Sequence, residues 1–71
     1  MVELLIIKAG NDYLRFDGHG YHRCELNQAS VYPLTQAAAV RARFRRVRDQ
    51  GMAEAELKKL VIREEPYPME E

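Results

Sequence analysis

The stretch VELLIIK (residues 2–8) decides the fold, because it predicts a strand that is apolar on both faces. Its aliphatic side chains alternate in position: Val2, Leu4 and Ile6 on one face, Leu5 and Ile7 on the other. Branched aliphatic residues favour strands, and a strand with two apolar faces belongs inside a sheet. We therefore place residues 2–8 at the centre of the sheet.

Two turn signals follow this strand and divide the next residues into two further strands. AGND (9–12) contains a glycine and an asparagine that tolerate positive φ, which predicts a hairpin turn. DGHG (17–20) predicts a second turn. The segments between and after them, YLRF (13–16) and YHRCEL (21–26), are predicted strands, and the more polar second one suits a sheet edge.

The second half of the chain predicts one helix and one strand. NQASVYP (27–33) is expected to be a connection. An alanine- and arginine-rich helix is expected from Gln36 to about Gln50, with Thr35 as its N-cap and Gly51 as its C-terminal stop. ELKKLVIREE (56–65) is the predicted last strand.

These elements predict an α+β fold, with a small, mainly antiparallel sheet of about four strands in the order βββαβ. One helix packs on one face of the sheet. We expect the helix to cross over and place the last strand beside the first and parallel to it. Residues 1–65 form the single predicted domain, and residues 66–71 form an irregular acidic tail.

Size and composition exclude several classes of protein. A chain of 71 residues makes at most one domain, and a core this small is marginally stable without extra support. Cys24 is the only cysteine, so no internal disulfide forms, which favours a reducing compartment. The first residues do not resemble a signal peptide, and no segment is long and apolar enough to span a membrane. We expect a soluble, cytoplasmic protein.

Charge is balanced overall but unevenly placed along the chain. The net charge is zero, yet residues 27–48 carry five arginines and no acid. Residues 1–26 have a net charge of −1, and residues 49–71 have a net charge of −4. Such asymmetry marks either a nucleic-acid-binding face or charges that neutralise one another within one folded molecule.

The arginines lie on both sides of an apolar stripe when residues 36–50 are drawn as a helix. The stripe consists of Ala37, Val40, Phe44, Val47 and Gly51. One ridge of arginines consists of Arg41, Arg45 and Arg48, and the opposite flank holds Arg43 and Arg46. Partners for them are available in the acids that follow: Glu54, Glu56, Glu64 and Glu65.

Two interpretations of this helix stay open. As a nucleic-acid site, Arg41, Arg45 and Arg48 would contact phosphates. Against this, the isoelectric point is about 6.7, no aromatic platform for base stacking is interleaved with the basic residues, and there is no helix-turn-helix pair. We favour a solvated helix face, since charge runs usually face water.

HGYHRC (19–24) contains three residue types that bind zinc, but its pattern does not predict a metal site. His22 and Cys24 share a strand face, His19 lies in the turn, and the paired cysteines of structural zinc sites are absent. A Cys24 nucleophile with His22 as base lacks a recognisable orienting group. No phosphate-binding loop is present either. We expect no enzyme activity, no cofactor, no metal and no small-molecule substrate.

The first strand predicts an interface. One helix covers one sheet face, so we expect Leu5, Ile7 and Val61 to lie on the uncovered face. A second copy of the chain would cover them in a symmetric dimer; alternatively, the tail would fold back with Tyr67 and Met69. We favour a homodimer or another protein partner, with nucleic acid as the alternative partner and no membrane.

The sequence also resembles a loose group of small bacterial and prophage proteins. The shared features are an IIK…YL hairpin, a junction formed here by Ala29, Val31, Tyr32 and Ala37, one helix and a closing strand. The group has no assigned activity, so the resemblance implies the fold and a bacterial or phage origin. It implies no site residue.

Overall fold

A computed structural model describes residues 1–69. Its regular elements are β1 (Val2–Ala9), β2 (Asp12–Asp17), β3 (Gly20–Cys24), β4 (Val31–Pro33), α1 (Ala37–Asp49) and β5 (Ala55–Ile62). The strands form one antiparallel sheet, and α1 packs on one of its faces against β5 and β1. The predicted α+β class and the single helix are confirmed.

β1 is the central strand, as VELLIIK predicted. One edge of β1 pairs along its whole length with β5, from Val2 opposite Ile62 to Ala9 opposite Ala55. The other edge is shared: its carboxyl end pairs with β2 and its middle pairs with the short strand β4. β3 extends the sheet beyond β2.

The prediction that the last strand is parallel to the first is wrong, because β5 is antiparallel to β1. The reason is β4, which the sequence interpretation assigned to a connection. β4 is itself antiparallel to β1, so the helix joins two strands of the same direction, and β1 lies between them. The crossover therefore runs from β4 to β5 rather than from β3.

The backbone before β4 is held against β2, where β2 separates from β1. The Phe16 amide donates to the Ser30 hydroxyl at 2.9 Å, and the Ser30 amide donates to the Leu14 carbonyl at 3.1 Å. The Arg15 guanidinium donates to the Gln28 carbonyl at 3.0 Å. These bonds satisfy backbone groups that β1 does not reach.

The core lies between α1 and the facing side of the sheet. Among residues 1–69, its fully buried members come from β1, β2, α1 and β5: Ile7, Ala9, Leu14, Val40, Val47 and Ala55. Ala9 and Ala55 are opposite each other in the β1–β5 ladder. Side chains this small at paired positions leave room for the helix.

The helix boundaries differ slightly from the prediction. α1 begins at Ala37, and Thr35 lies in a preceding 3₁₀ turn (Leu34–Gln36) instead of capping the helix. Gln36 occupies the N-cap position without a side-chain capping bond. Gly51, with φ of 106°, follows the C-cap, which confirms the predicted stop.

The last strand ends three residues earlier than predicted. β5 stops at Ile62, and residues 63–69 have no regular secondary structure. Glu70 and Glu71, which belong to the predicted acidic tail, lie outside the described residues.

Candidate functional site

The sheet face that α1 leaves open carries a continuous apolar surface, which we call the apolar sheet face. It consists of Val2, Leu4 and Ile6 from β1, Val31 and Pro33 from β4, and Leu60 and Ile62 from β5. Directly opposed residues in an antiparallel pair project from the same side of the sheet. The register therefore places all seven side chains side by side.

Several members of this surface are open to solvent. Val2, Val31 and Ile62 are 53%, 42% and 43% exposed. Leu4 and Leu60 are half-buried, and Ile6, which lies between Val31 and Lys58 at one end of the surface, is 1% exposed. The exposed part of the surface is thus formed by its outer residues.

The alternative that the tail covers a sheet face is not what the structure shows for residues 63–69. Every residue of this segment is exposed, and Tyr67 and Met69 are 90% and 93% exposed. Residues 63–69 therefore do not cover the apolar sheet face, whose outer members Val2, Val31 and Ile62 stay exposed.

The predicted interface residues were assigned to the wrong face. Ile7 is fully buried in the core, and Leu5 packs against the same core. Val61 is 48% exposed but lies on the helix side of the sheet, opposite Glu3. The apolar residues on the face opposite the helix are the alternate set of β1, Val2, Leu4 and Ile6.

The sequence does contain a signal that tells which face of β1 packs against the helix. A hairpin with Gly10 and Asn11 as its turn pairs Ala9 with Asp12, as the structure shows. Continued alternation then puts Ile7 on the same face as Leu14 and Phe16, which both belong to or pack against the core. The hairpin register, rather than the apolar count, identifies the helix side.

The carboxyl-terminal end of β1 adds a charged rim to the apolar sheet face. The Lys8 ammonium lies 5.6 Å from the centre of the Tyr13 ring, and Lys58 pairs with Glu56 at 3.0 Å. Glu56 is opposite Lys8 in the ladder. Both signs of charge therefore occur beside the apolar residues.

The helix arginines have no acidic partners among residues 1–69. The acids expected to pair with them have other partners: Glu54 pairs with Arg23 at 3.2 Å, Glu56 with Lys58 and Glu65 with Arg63 at 2.8 Å. The expectation of ion pairs to α1 is therefore wrong for these acids. The reason is local, because two of the three pairs join residues two apart in the chain.

Two arginines of α1 instead lie over aromatic rings. The Arg43 guanidinium carbon is 5.5 Å from the centre of Phe16 and 5.6 Å from that of Tyr32. Arg48 lies 5.7 Å from the centre of Phe44. Of the predicted anion-binding ridge, Arg41 and Arg45 are exposed, as is Arg48.

The other flank of α1 lines a cleft that the sequence did not indicate. Arg43 and Arg46 face the β2–β3 turn across a space of about 270 Å³, with Phe16 and Tyr21 on the sheet side. The i, i+3 spacing of these arginines was visible in the sequence. What it did not show was that the turn between β2 and β3 comes close to that flank.

The residues His19, His22 and Cys24 do not form a metal cluster. Within residues 1–69 no three metal-binding side chains come together. The His22 ring lies 3.9 Å from Asp17, and His19 donates its backbone amide to the same carboxylate at 2.7 Å. Burial raises the pKa of the Cys24 thiol, which the nearby Arg15 charge partly opposes. A raised pKa lowers the thiolate fraction at neutral pH and gives no support to a nucleophilic role.

Comparison with known proteins adds no relationship, since no family model, curated protein or solved structure matches the chain. The resemblance to small bacterial and prophage proteins therefore stays a prediction. No helix within residues 1–69 is both long and apolar enough to cross a membrane.

Proposed function

We propose that this protein is a non-enzymatic interaction module that works as a homodimer through its apolar sheet face. The observation that carries the proposal is the apolar surface across β1, β4 and β5, on which Val2, Val31 and Ile62 are exposed and which residues 63–69 do not cover. Contiguous apolar patches on small proteins usually mark interaction sites.

The area and shape of the chain support a protomer rather than a self-sufficient monomer. Its accessible surface is 5691 Å², whereas a compact monomer of 8.3 kDa exposes about 4,600 Å². The radius of gyration is 14.3 Å, against about 11 Å for a compact chain of this length. Part of the excess comes from the exposed residues 63–69.

A second copy suits the apolar sheet face better than a charged partner does. In a two-fold dimer the same surface meets itself, and two antiparallel sheets pack face to face at about 10 Å. The rim offers Lys8 and Lys58 together with Glu56, so a copy related by symmetry supplies both signs of charge. Burial of Val2, Val31 and Ile62 would also add to a small core.

The test compares two neighbouring residues of β5 that are on opposite sheet faces. Ile62→Lys places a charge in the proposed interface, and Val61→Lys places the same charge on the helix side. The two side chains are 43% and 48% exposed, so the two changes are matched in how far the replaced residue reaches solvent. The measurement is molar mass by light scattering across a dilution series, at low and moderate salt.

We expect the wild type and Val61→Lys to have twice the protomer mass, and Ile62→Lys to dissociate at least about tenfold more readily. Wild-type protein that has the mass of one 8.3 kDa chain at every concentration would contradict the proposal. Equal weakening by both substitutions would also contradict it, because the interface would then not be this face.

The helix supports a second candidate, a nucleic-acid accessory protein. The observation that favours it is that, within residues 1–69, Arg41, Arg45 and Arg48 form no ion pair. Retention on DNA or RNA that decreases with salt, and is lost when these three residues are alanine, would support this function. No retention at low salt would exclude it.

A further inference from the structure

The cleft between α1 and the β2–β3 turn has the features of a small-ligand site and lies on the opposite side of the sheet from the apolar sheet face. Its volume is about 270 Å³. Phe16 and Tyr21 form its sheet side, and Arg43, Arg46 and Gln50 form its helix side. Both aromatic rings are half-buried, so each presents a fixed and partly accessible surface.

The arginines of this cleft are available to an anion. Neither Arg43 nor Arg46 forms an ion pair with a carboxylate of residues 1–69. The Arg43 guanidinium carbon lies over both Phe16 and Tyr32, at 5.5 Å and 5.6 Å from their ring centres. Stacking of this kind restricts the guanidinium while its N–H groups, which lie in the plane, stay free to donate.

The one acid of the cleft is already engaged in the turn. Asp17 accepts the His19 amide at 2.7 Å through Oδ1, and its Oδ2 lies 3.9 Å from His22 Nδ1. Its charge is therefore partly offset by the turn. Two unpaired guanidinium groups outweigh it, and the cleft is electropositive.

The chemistry of the walls defines a ligand class. A single guanidinium group binds a phosphate or a carboxylate through two parallel hydrogen bonds. Aromatic side chains accept planar rings by stacking, and an amide such as that of Gln50 both donates to and accepts from a ring edge. Sites for drug-sized ligands begin near about 300 Å³, so this cleft suits a ligand no larger than a single nucleotide.

We propose that this cleft binds a small phosphate monoester attached to a planar ring, with Arg43 and Arg46 on the phosphate and Tyr21 against the ring. A nucleoside monophosphate is the common example of this class. The proposal is independent of dimerisation, because it uses the other side of the sheet.

The test is an NMR titration of the ¹⁵N-labelled full chain with three separate probes: AMP, adenosine and inorganic phosphate. We expect AMP to cause saturable shifts at the amides of Gly18, Gly20 and Gln50, which line the cleft. Adenosine contains only the ring and sugar of this ligand, and inorganic phosphate contains only its anion. Each should therefore bind at least about tenfold more weakly than AMP. No saturable shift with AMP at about 10 mM would overturn the proposal.

A matched pair of variants separates this site from general attraction to the helix. Arg46→Gln and Arg45→Gln remove the same charge from neighbouring exposed positions of α1, but only Arg46 lines the cleft. We expect Arg46→Gln to weaken AMP binding about tenfold and Arg45→Gln to change it by less than about twofold. Equal losses would overturn the proposal, as would shifts spread along the whole helix. The spectra of the unliganded variants confirm that each is folded.

Discussion

At the scale of single residues, the arginines of α1 contribute to the fold through their aromatic neighbours. Arg43 lies over Phe16 and Tyr32, and Arg48 lies over Phe44. Contacts of this type at exposed positions contribute about 0.5–1 kcal/mol each. A run of arginines that is exposed to solvent can therefore also cover the edge of a small hydrophobic core.

Arg23 shows a second use of arginine, at the end of the sheet. Its guanidinium donates to the Ala9 carbonyl at 2.9 Å and also pairs with Glu54 at 3.2 Å and with Asp12 at 3.5 Å. It connects the β1–β2 hairpin with the segment before β5. The pairs are half-exposed, so their individual contributions to stability are small.

Cys24 gives a prediction about pH. Because burial raises the pKa of its thiol, alkylation by iodoacetamide should reach half of its maximal rate at a higher pH than for free cysteine. The folded state favours the neutral thiol. Its contribution to stability is therefore complete below the unfolded pKa and is lost as pH rises through the folded pKa. Alkylation rates from neutral to alkaline pH, with free cysteine as the control, measure the shift; a midpoint below that of free cysteine would indicate an activated thiolate instead.

At the scale of elements, the end of α1 has a well-defined stop. The Gly51 amide donates to the Arg48 carbonyl at 3.0 Å, and the Met52 amide donates to the Val47 carbonyl at 3.3 Å. This is the Schellman pattern, and Met52 packs against the core that contains Val47. The φ of 106° at Gly51 is one that a side chain disfavours.

Gly51→Ala should therefore destabilise the protein although the new methyl group meets no neighbour. We expect a loss of about 1–2 kcal/mol in the free energy of unfolding, from backbone strain alone. Gly18→Ala is the control, since Gly18 has no positive φ and a Cβ there also meets nothing within 4 Å. Denaturant midpoints of both variants check this, and equal midpoints would show that the stop does not depend on glycine.

Local signals in the sequence predict most elements of this fold. The period-two apolar pattern of residues 2–8, the glycines at positions 10 and 51, and the alanine-rich helix all specify structure within a few residues. β4 escapes such reasoning because it has three residues and forms only against the unused edge of β1. The direction of β5 depends on β4, so it was missed for the same reason.

The candidate site was predictable in kind but not in its residues. Both faces of β1 are apolar, and the count of aliphatic residues does not tell which one the helix covers. The choice depends on the hairpin register, which puts Ile7 on the Leu14 side and leaves Leu4 on the other. The cleft at Arg43 and Arg46 depends on a tertiary approach between α1 and the β2–β3 turn, for which the sequence has no local signal.

At the scale of the whole molecule, a small core and a large surface occur together. Among residues 1–69, seven hydrophobic side chains are fully buried, and six of them lie between α1 and the sheet. The seventh, Ile6, lies on the opposite face. A core of this size gives limited stability, and a dimer across the second face would place Ile6 within a second core.

The most direct test of this account is an isotope-filtered NOE measurement on a mixture of ¹³C-labelled and unlabelled protein. It detects contacts between methyl groups of different protomers. The account predicts intermolecular NOEs among Leu4, Leu60 and Ile62, and none from Val61 or Phe44. Intermolecular NOEs only from the helix side would contradict it. The absence of intermolecular NOEs from a folded sample would contradict it as well.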